Sequence, residues 1–277
     1  EEGEELQKSS QAVAIDLVGP HEEALPQNLK INRAIDRLLS SRKAMVTDFV
    51  TYETYTQEAW QELRLDAFGE SDSYLPGQIT IHAYREGAFC RGVTLGMQKF
   101  GLPDVSLANF SCSDQSSFSN LINLVCQSLY EEVEPDADGN LVLNIDQLKN
   151  EKFKQAVMAL VDEDATRKGS VKLSPALPQE GDAYNSQFQV VFRDESYSSP
   201  QEEQTALIAQ IFGYKDKIDY AKHDEELLAA SQKAKEELPR LKEIFMEEME
   251  AGYTLLFKAP FETDEGGAEW MWVEVTR

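Results

Sequence analysis

Asp104-Val105-Ser106-Leu107-Ala108-Asn109-Phe110 alternates apolar and polar residues, which is the pattern of a β-strand with one buried face. A Ser-rich loop follows over residues 111–117. The next apolar residues recur at helical spacing and predict a helix that ends near residue 132: Phe118, Leu121, Ile122, Val125 and Leu129. A strand followed by an amphipathic helix is typical of a sheet that is covered by helices.

Strand and helix patterns also alternate over the rest of the N-terminal region. Further strands are predicted at residues 11–18, 44–55, 78–84, 141–145, 171–177 and 187–192. Further helices are predicted at residues 29–39, after a Thr56 cap, at 146–161, and after the Ser199-Pro200 pair. Because the strands are short and amphipathic, the sequence predicts an α+β fold with a mixed or antiparallel sheet and helices packed on it.

The C-terminal region predicts a helix followed by a β-hairpin. Residues 224–250 place apolar side chains at three- and four-residue steps, and two strand-like runs flank the Gly266-Gly267 turn. A polar, turn-rich segment over residues 193–200 separates this region from the preceding one. We therefore expect a disordered tail over residues 1–10, an α+β domain over 11–195, and a helix-and-hairpin unit over 196–277.

The terminal strands carry a resemblance to a known family. Five residues occur in the order Lys258, Phe261, Glu269, Met271 and Trp272. With the preceding helix, this pattern resembles the YegJ-like family of bacterial proteins, domain of unknown function 2314, whose domain normally continues with further strands. The resemblance covers only about the last 60 residues. It implies a bacterial source and a small α+β domain, but it implies no catalytic residue, substrate or cofactor.

The composition excludes several classes of function. Fifty acidic residues against 26 basic ones give the 277-residue chain a formal charge of −24. Such a chain repels nucleic acids and anionic membrane surfaces, whose binding depends on clustered Lys and Arg. No apolar run approaches the ~20 residues that span a bilayer, so a soluble protein is predicted. The acidity favours high solubility, with a basic partner or a cation as the alternatives.

The cysteines and the start of the sequence bear on the compartment. Cys90, Cys112 and Cys126 are an odd number without metal-type spacing, so one disulfide is possible but a disulfide-built scaffold is not. The sequence opens on a polar Glu-Glu-Gly-Glu-Glu segment without Met, which is what removal of a signal sequence would leave. An exported or periplasmic protein is therefore favoured over a cytoplasmic one.

Two segments contain candidate catalytic or metal-binding residues. His82 lies in a predicted strand, and Cys90 and Arg91 follow that strand. An arginine-stabilised thiolate with a histidine base would be a nucleophile for a hydrolase or transferase. Asp136, Asp138 and Asn140 alternate before a strand as in the first half of a calcium loop. That loop lacks its closing acidic ligand, which favours a surface turn.

The terminal hairpin suggests binding instead. Trp270 and Trp272 lie on one face of a strand, and Lys258 lies on the other strand of the hairpin. These residues could contact a protein partner or a second copy of the chain through the C-terminal strands. No cofactor motif is present in the sequence. The sequence thus favours a non-enzymatic binding or protein-interaction module, with a hydrolase or transferase and a calcium-binding envelope protein as the alternatives.

Overall fold

The computed structural model describes residues 12–40, 44–66, 74–213, 225–246, 255–262 and 268–275. The chain divides into two compact units, Glu1–Lys217 and Ile218–Arg277. The tail predicted over residues 1–10 lies outside the described residues.

The first unit contains both helices and strands. Its described α-helices are α1 (Ala24–Leu39), α2 (Gln57–Gln61), α3 (Gln115–Tyr130), α4 (Glu151–Met158) and α5 (Pro200–Phe212). A π-helical turn, Glu62–Asp66, follows α2, and short 3-10 helices occur at His21–Glu23, Leu75–Gly77, Met97–Phe100, Cys112–Asp114 and Ile145–Gln147. Its described strands are β1 (Val46–Asp48), β2 (Glu53–Tyr55), β3 (Thr80–Glu86), β4 (Phe89–Leu95), β5 (Asp104–Phe110), β6 (Asn140–Asn144), β7 (Lys168–Ala176) and β8 (Gln187–Val191).

The strands of the first unit form two sheets. β1 and β2 form a small antiparallel hairpin, and the other strands form a six-stranded sheet in the order β3-β4-β5-β8-β7-β6. Neighbouring strands of the large sheet are antiparallel, except that β5 and β8 are parallel. The sheet is therefore mixed, which confirms the predicted α+β class.

Two helices cover one face of the large sheet, and glycines allow them to approach closely. A Cβ atom at Gly92 would lie 3.1 Å from the side chain of Ile122 in α3. A Cβ atom at Gly169 would lie 2.8 Å from Ile211 in α5. The strand register places both glycines on the same face. The first unit is therefore built from a layer of helices on a sheet, with its main hydrophobic core between them.

The boundary between the units falls later than the sequence predicted. Helix α5 follows the predicted boundary near residue 195, but its apolar residues belong to the core beneath α3: Leu207, Ile208, Ile211 and Phe212. Because these side chains pack on the sheet, the first compact unit extends to Lys217. Residues 200–212 therefore belong with the first unit and not with the terminal hairpin.

Local sequence patterns predicted some elements correctly and others incorrectly. The Thr56 hydroxyl accepts a hydrogen bond from the Ala59 N–H at 3.3 Å, and Ser199 accepts one from Glu202 at 3.2 Å, so both predicted caps are confirmed. The strand predicted at residues 11–18 is wrong, because residues 12–18 form neither a strand nor a helix and pair with no described strand. The pattern over residues 44–55 corresponds to the β1–β2 hairpin, whose turn interrupts the strand.

The second unit contains α6 (Glu225–Met246) and an antiparallel hairpin of β9 (Leu255–Glu262) and β10 (Ala268–Val275). A helix followed by a hairpin is what the sequence predicted. In the hairpin register Trp272 lies opposite Lys258, and Trp270 lies opposite Pro260. The side chains of Trp270, Trp272 and Lys258 lie outside the described part of the structure. Within the described ranges, no helix has the length and apolarity to cross a membrane.

Candidate functional site

Two exposed aromatic residues mark the turn of the β1–β2 hairpin. The register pairs Asp48 with Glu53, so residues 49–52 form the loop between the strands. Phe49 is 76% exposed and Tyr52 is 71% exposed. Tyr52 has a φ angle of 59°, a left-handed conformation that is uncommon for a bulky residue. The turn therefore holds two large aromatic side chains away from the core.

Asp48 fixes the base of this turn. Its Oδ1 accepts a hydrogen bond from the backbone N–H of Val50 at 2.9 Å. Its Oδ2 accepts hydrogen bonds from Lys99 Nζ at 2.8 Å and from Arg64 Nη2 at 3.1 Å. The side chains of Asp48, Lys99 and Arg64 are largely buried. The turn is thus bonded to an ionic cluster, which we define as Asp48, Glu53, Tyr55, Arg64 and Lys99; the side chains of all but Glu53 are largely buried.

Arg64 is the centre of the ionic cluster. Besides Asp48, its guanidinium donates to Tyr55 Oη at 2.7 Å, to the Gly77 carbonyl at 3.2 Å, and to Gln78 Oε1 at 3.2 Å. The guanidinium also lies 4.9 Å from the centroid of the Tyr55 ring, within the range of a cation–π interaction. Arg64 therefore connects the hairpin to the segment that precedes β3.

A second, smaller hydrophobic core packs the β1–β2 hairpin against helices α1 and α2. Leu39, Tyr55 and Trp60 are buried together, and the rings of Tyr55 and Trp60 meet edge to face at 5.7 Å. The indole N–H of Trp60 donates to the Asn32 carbonyl at 3.3 Å. The hairpin is consequently held by apolar packing against α1 and α2 as well as by the ionic cluster.

Burial and charge shift the pKa values in the ionic cluster. Burial, assisted by the Arg64 charge, lowers the pKa of Lys99 to about 8, although Asp48 opposes the shift. Burial raises the pKa of Asp48, but Lys99 and Arg64 outweigh it and hold that pKa below its usual range. Burial and the hydrogen bond to Glu53 raise the pKa of Tyr55 to about 12. Asp48 and Tyr55 therefore keep their ordinary protonation states at neutral pH.

The predicted catalytic residue Arg91 lies in a separate network. Its guanidinium donates to both carboxylate oxygens of Asp182, at 2.9 and 2.7 Å, and to Tyr84 Oη at 2.7 Å. Burial raises the pKa of Asp182, but Arg91 and Gln187 outweigh it and lower that pKa to about 2. This bidentate pair attaches the loop between β7 and β8 to the sheet. Arg91 is thus committed to a buried ion pair.

The other two predicted catalytic residues are not arranged as a nucleophile and its base. Cys90 forms a disulfide with Cys112, with their Cα atoms 5.1 Å apart. A disulfide sulfur is not a thiolate, so Cys90 does not fit the predicted nucleophile. His82 is exposed on β3, with its ring 5.5 Å from that of Tyr84. Cys126 is a buried free thiol, and burial raises its pKa well above the usual value.

The predicted calcium residues form a turn that is closed by its own hydrogen bonds. Asp136 Oδ1 accepts from the backbone N–H groups of Asp138 at 2.9 Å and Asn140 at 2.8 Å. The Asn140 side-chain amide donates to Asp136 Oδ2 at 3.0 Å, and these bonds to Asn140 lower the pKa of Asp136. In the described ranges no group of three or more His, Cys, Asp or Glu residues is placed to hold a metal ion. The geometry fits the surface-turn alternative.

Comparisons of the chain with family models, with curated proteins and with solved structures find no match. Sequence reasoning did not identify the ionic cluster or the aromatic turn, because their residues are spread over three separate segments of the chain and form no motif.

Proposed function

We propose that this chain is a non-enzymatic protein-binding module that presents Phe49 and Tyr52 to a partner protein. The observation that supports the proposal is the β1–β2 turn itself. It exposes both aromatic rings, while the Asp48 carboxylate beneath it is bonded to Lys99, Arg64 and the turn backbone.

Rigid, exposed aromatic side chains are efficient binding groups. Each ring removes a large apolar area from water on binding, and it loses little conformational freedom because it has only two side-chain torsions. A turn fixed in advance by buried hydrogen bonds has less freedom to lose when the partner docks. Phe49 and Tyr52 are therefore placed as the central contacts of an interface, of the kind that contributes most binding energy.

The negative charge of the chain favours a partner with a basic surface. Glu53 follows Tyr52 directly and its side chain is 44% exposed, in a chain with a formal charge of −24. A complementary surface would place the two rings in an apolar pocket and surround it with Lys or Arg. We infer that the partner carries such a basic-rimmed pocket, and that high salt slows the association.

The disulfide supports an exported protein. Bonds such as Cys90–Cys112 persist in oxidising compartments and are rare in the cytosol. Together with the resemblance of the terminal strands to a bacterial family, this supports a bacterial protein of the periplasm or the cell surface. The terminal hairpin, with Trp270, Trp272 and Lys258, is a second proposed surface for a protein partner or another copy of the chain.

The test uses a matched aromatic control. Tyr184 is fully exposed at 102%, so Tyr184→Ser removes a surface aromatic elsewhere in the same unit. Wild type, the Phe49→Ser/Tyr52→Ser double variant and Tyr184→Ser are each used to capture proteins from the exported fraction of the source organism. The captured proteins are quantified by mass spectrometry, and a purified candidate is then titrated by calorimetry.

We expect the double variant to weaken the partner's binding by roughly 30-fold or more, since central aromatic contacts contribute about 2 kcal/mol or more. Tyr184→Ser should leave the dissociation constant unchanged. Circular dichroism checks that all three proteins are folded. If the double variant and Tyr184→Ser capture the same proteins at equal affinity, the aromatic turn is not the binding element.

A further inference from the structure

The parallel strands β5 and β8 separate from each other before either strand ends. In the described register their pairing ends at Leu107 and Val190. Beyond this point β5 continues beside β4 to Phe110, and β8 continues beside β7 to Val191. The sheet therefore has a fork at the carboxyl ends of the two strands. In sheets with parallel strands, ligands commonly bind outside these ends.

A cavity of about 140 Å³ lies in this fork. It is lined by the ends of both strands and by the first turns of α5, including Ala108, Asn109, Gln189, Arg193 and Gln204. A cavity of about 150 Å³ accommodates benzene, so the fork has room for a ligand of about six non-hydrogen atoms.

Helix α5 fixes one wall of the cavity. The side chain of Gln204 is buried, and its amide donates a hydrogen bond to the Ala108 carbonyl at 3.2 Å. The side-chain amide of Gln201 donates to the Asn109 carbonyl at 3.0 Å. The backbone at the end of β5 is thus bonded to the helix, and the cavity is formed before any ligand arrives.

Three polar side chains that line the cavity are available to a ligand. The side chains of Asn109, Gln189 and Arg193 make no hydrogen bond or ion pair with another residue in the described part of the structure. Among the described residues, Arg193 is the only charged one that lines the cavity. The cavity therefore offers a guanidinium and two amides.

The acidic residues close to the cavity in sequence are bonded elsewhere. The Glu202 carboxylate accepts from the Ser198 N–H at 2.8 Å, and the Glu203 carboxylate accepts from the Asp194 N–H at 3.0 Å. The Asp194 carboxylate accepts from the Ser196 N–H at 2.9 Å. None of these three acidic residues lines the cavity. The guanidinium in the cavity is thus left for an anion from outside the chain.

We propose that this cavity binds a small carboxylate, whose two oxygens accept hydrogen bonds from the Arg193 guanidinium. The planar guanidinium matches a carboxylate in a bidentate pair. The amides of Asn109 and Gln189 bond a hydroxyl or keto oxygen next to the carboxylate, and Val191 and Pro200 contact a short carbon chain. The site shares no residue with the aromatic turn, so it goes beyond the proposed function.

The carboxylate can come from two sources. One is a free acid of about six non-hydrogen atoms, and the other is the carboxyl end of a peptide whose last residue is small. Both present the same group to Arg193. The experiment below distinguishes them by the ligand that binds.

The test is a ligand-observed NMR titration of the full chain. Salt of about 0.15 M limits the long-range repulsion between the acidic chain and an anion. The ligands are lactate and pyruvate, the matched amides lactamide and pyruvamide, and an alanine-terminated tripeptide with a free or an amidated carboxyl end. We expect a dissociation constant of about 1 mM or lower for a carboxylate, and binding at least about tenfold weaker for its amide.

Two arginine variants assign the binding to the cavity. Arg193→Gln removes the charge but keeps an amide donor, and it should weaken carboxylate binding at least about tenfold, because a hydrogen bond to a charged group contributes that much. Arg37→Gln is the matched control, since it makes the same charge change at an exposed arginine of α1 that does not line the cavity. It should leave the dissociation constant unchanged. Circular dichroism checks that both variants are folded.

The outcomes are distinct. Binding of lactate or pyruvate that depends on Arg193 supports a site for a free acid, and binding of the free tripeptide alone supports a site for a peptide end. If none of the carboxylates binds at about 10 mM, the proposal is overturned. It is also overturned if acids and amides bind equally, or if Arg193→Gln and Arg37→Gln have the same effect.

Discussion

Replacement of Arg64 by Met removes the guanidinium at the centre of the ionic cluster and keeps most of the aliphatic stem. Arg64 donates hydrogen bonds to Asp48, Tyr55, Gly77 and Gln78, and its side chain is buried. In the Arg64→Met protein the partly buried Gly77 carbonyl and the fully buried Gln78 side-chain oxygen each lose a donor. Asp48 keeps Lys99 as its remaining buried cation.

The expected loss can be worked out from these contacts. A hydrogen bond to a charged group contributes about 1.5–3 kcal/mol, and a buried acceptor left unpaired costs about 1–3 kcal/mol. Breaking a buried ion pair by removing one partner costs about 3–5 kcal/mol in total. Because Lys99 still neutralises Asp48, we expect the lower part of that range, about 3 kcal/mol.

The control is an exposed arginine with a similar ion pair. Arg240 Nη1 lies 2.9 Å from Glu237 Oε2, and both side chains are more than half exposed. Arg240→Met should cost less than about 1 kcal/mol, because solvent screens surface pairs. The two variants therefore compare a buried arginine that has several partners with an exposed arginine that has one.

The free energy of unfolding is measured by hydrogen exchange of individual peptides, because the chain has two compact units and one global transition would mix them. We expect Arg64→Met to speed exchange in residues 44–66 and 74–100, and to leave β9 and β10 unchanged. A loss below about 1 kcal/mol in residues 44–66, equal to that of the control, would refute the view that Arg64 holds the hairpin.

Two further predictions concern the disulfide and Lys99. Reducing the Cys90–Cys112 bond, which closes a loop with a sequence separation of 22, should lower the free energy of unfolding by roughly 3 kcal/mol, as measured by hydrogen exchange of peptides from the first unit; equal stability of the oxidised and reduced chains would contradict this. The pKa of Lys99 is about 8 in the folded chain against an ordinary 10.5, so the unfolded chain binds more protons between these values and stability rises with pH. We expect the free energy of unfolding to rise by about 2 kcal/mol between pH 8 and 10, and the Lys99→Met variant to lack this rise. If the free energy of unfolding of the variant rises by the same amount, a group other than Lys99 causes the pH dependence.

Periodicity predicted much of the large sheet and its helices. Strand β5 and helix α3 lie where the alternation of residues 104–110 and the helical spacing after Phe118 placed them. Strand β5 and helix α3 pack against each other, and the apolar residues of each lie on the side that makes this contact. The spacing of the apolar residues therefore predicts both elements. The α+β class follows from the same patterns.

Periodicity failed where a pattern has more than one structural outcome. Residues 12–18 alternate as a strand does, but a strand also needs a neighbour that accepts its hydrogen bonds, and alternation says nothing about that neighbour. Helix α5 carries the buried residues Leu207, Ile208, Ile211 and Phe212, but these residues alone do not reveal whether the helix packs on the preceding sheet or on the following hairpin. Both errors concern long-range pairing.

One local feature of the sequence indicates the ionic cluster. Arg64 follows Trp60 by four residues, the spacing that puts two side chains on the same face of a helix, and both residues are buried. A tryptophan indicates that its face of the helix is buried. An arginine on the same face needs carboxylates or carbonyl groups inside the protein as partners, because an unpaired buried charge is too costly. Asp48 and Glu53 flank a nearby turn and are the acidic residues that the short β1–β2 hairpin can bring to it. A search for charged residues on predicted apolar faces would therefore have pointed to the hairpin, and through Asp48 to the aromatic turn above it.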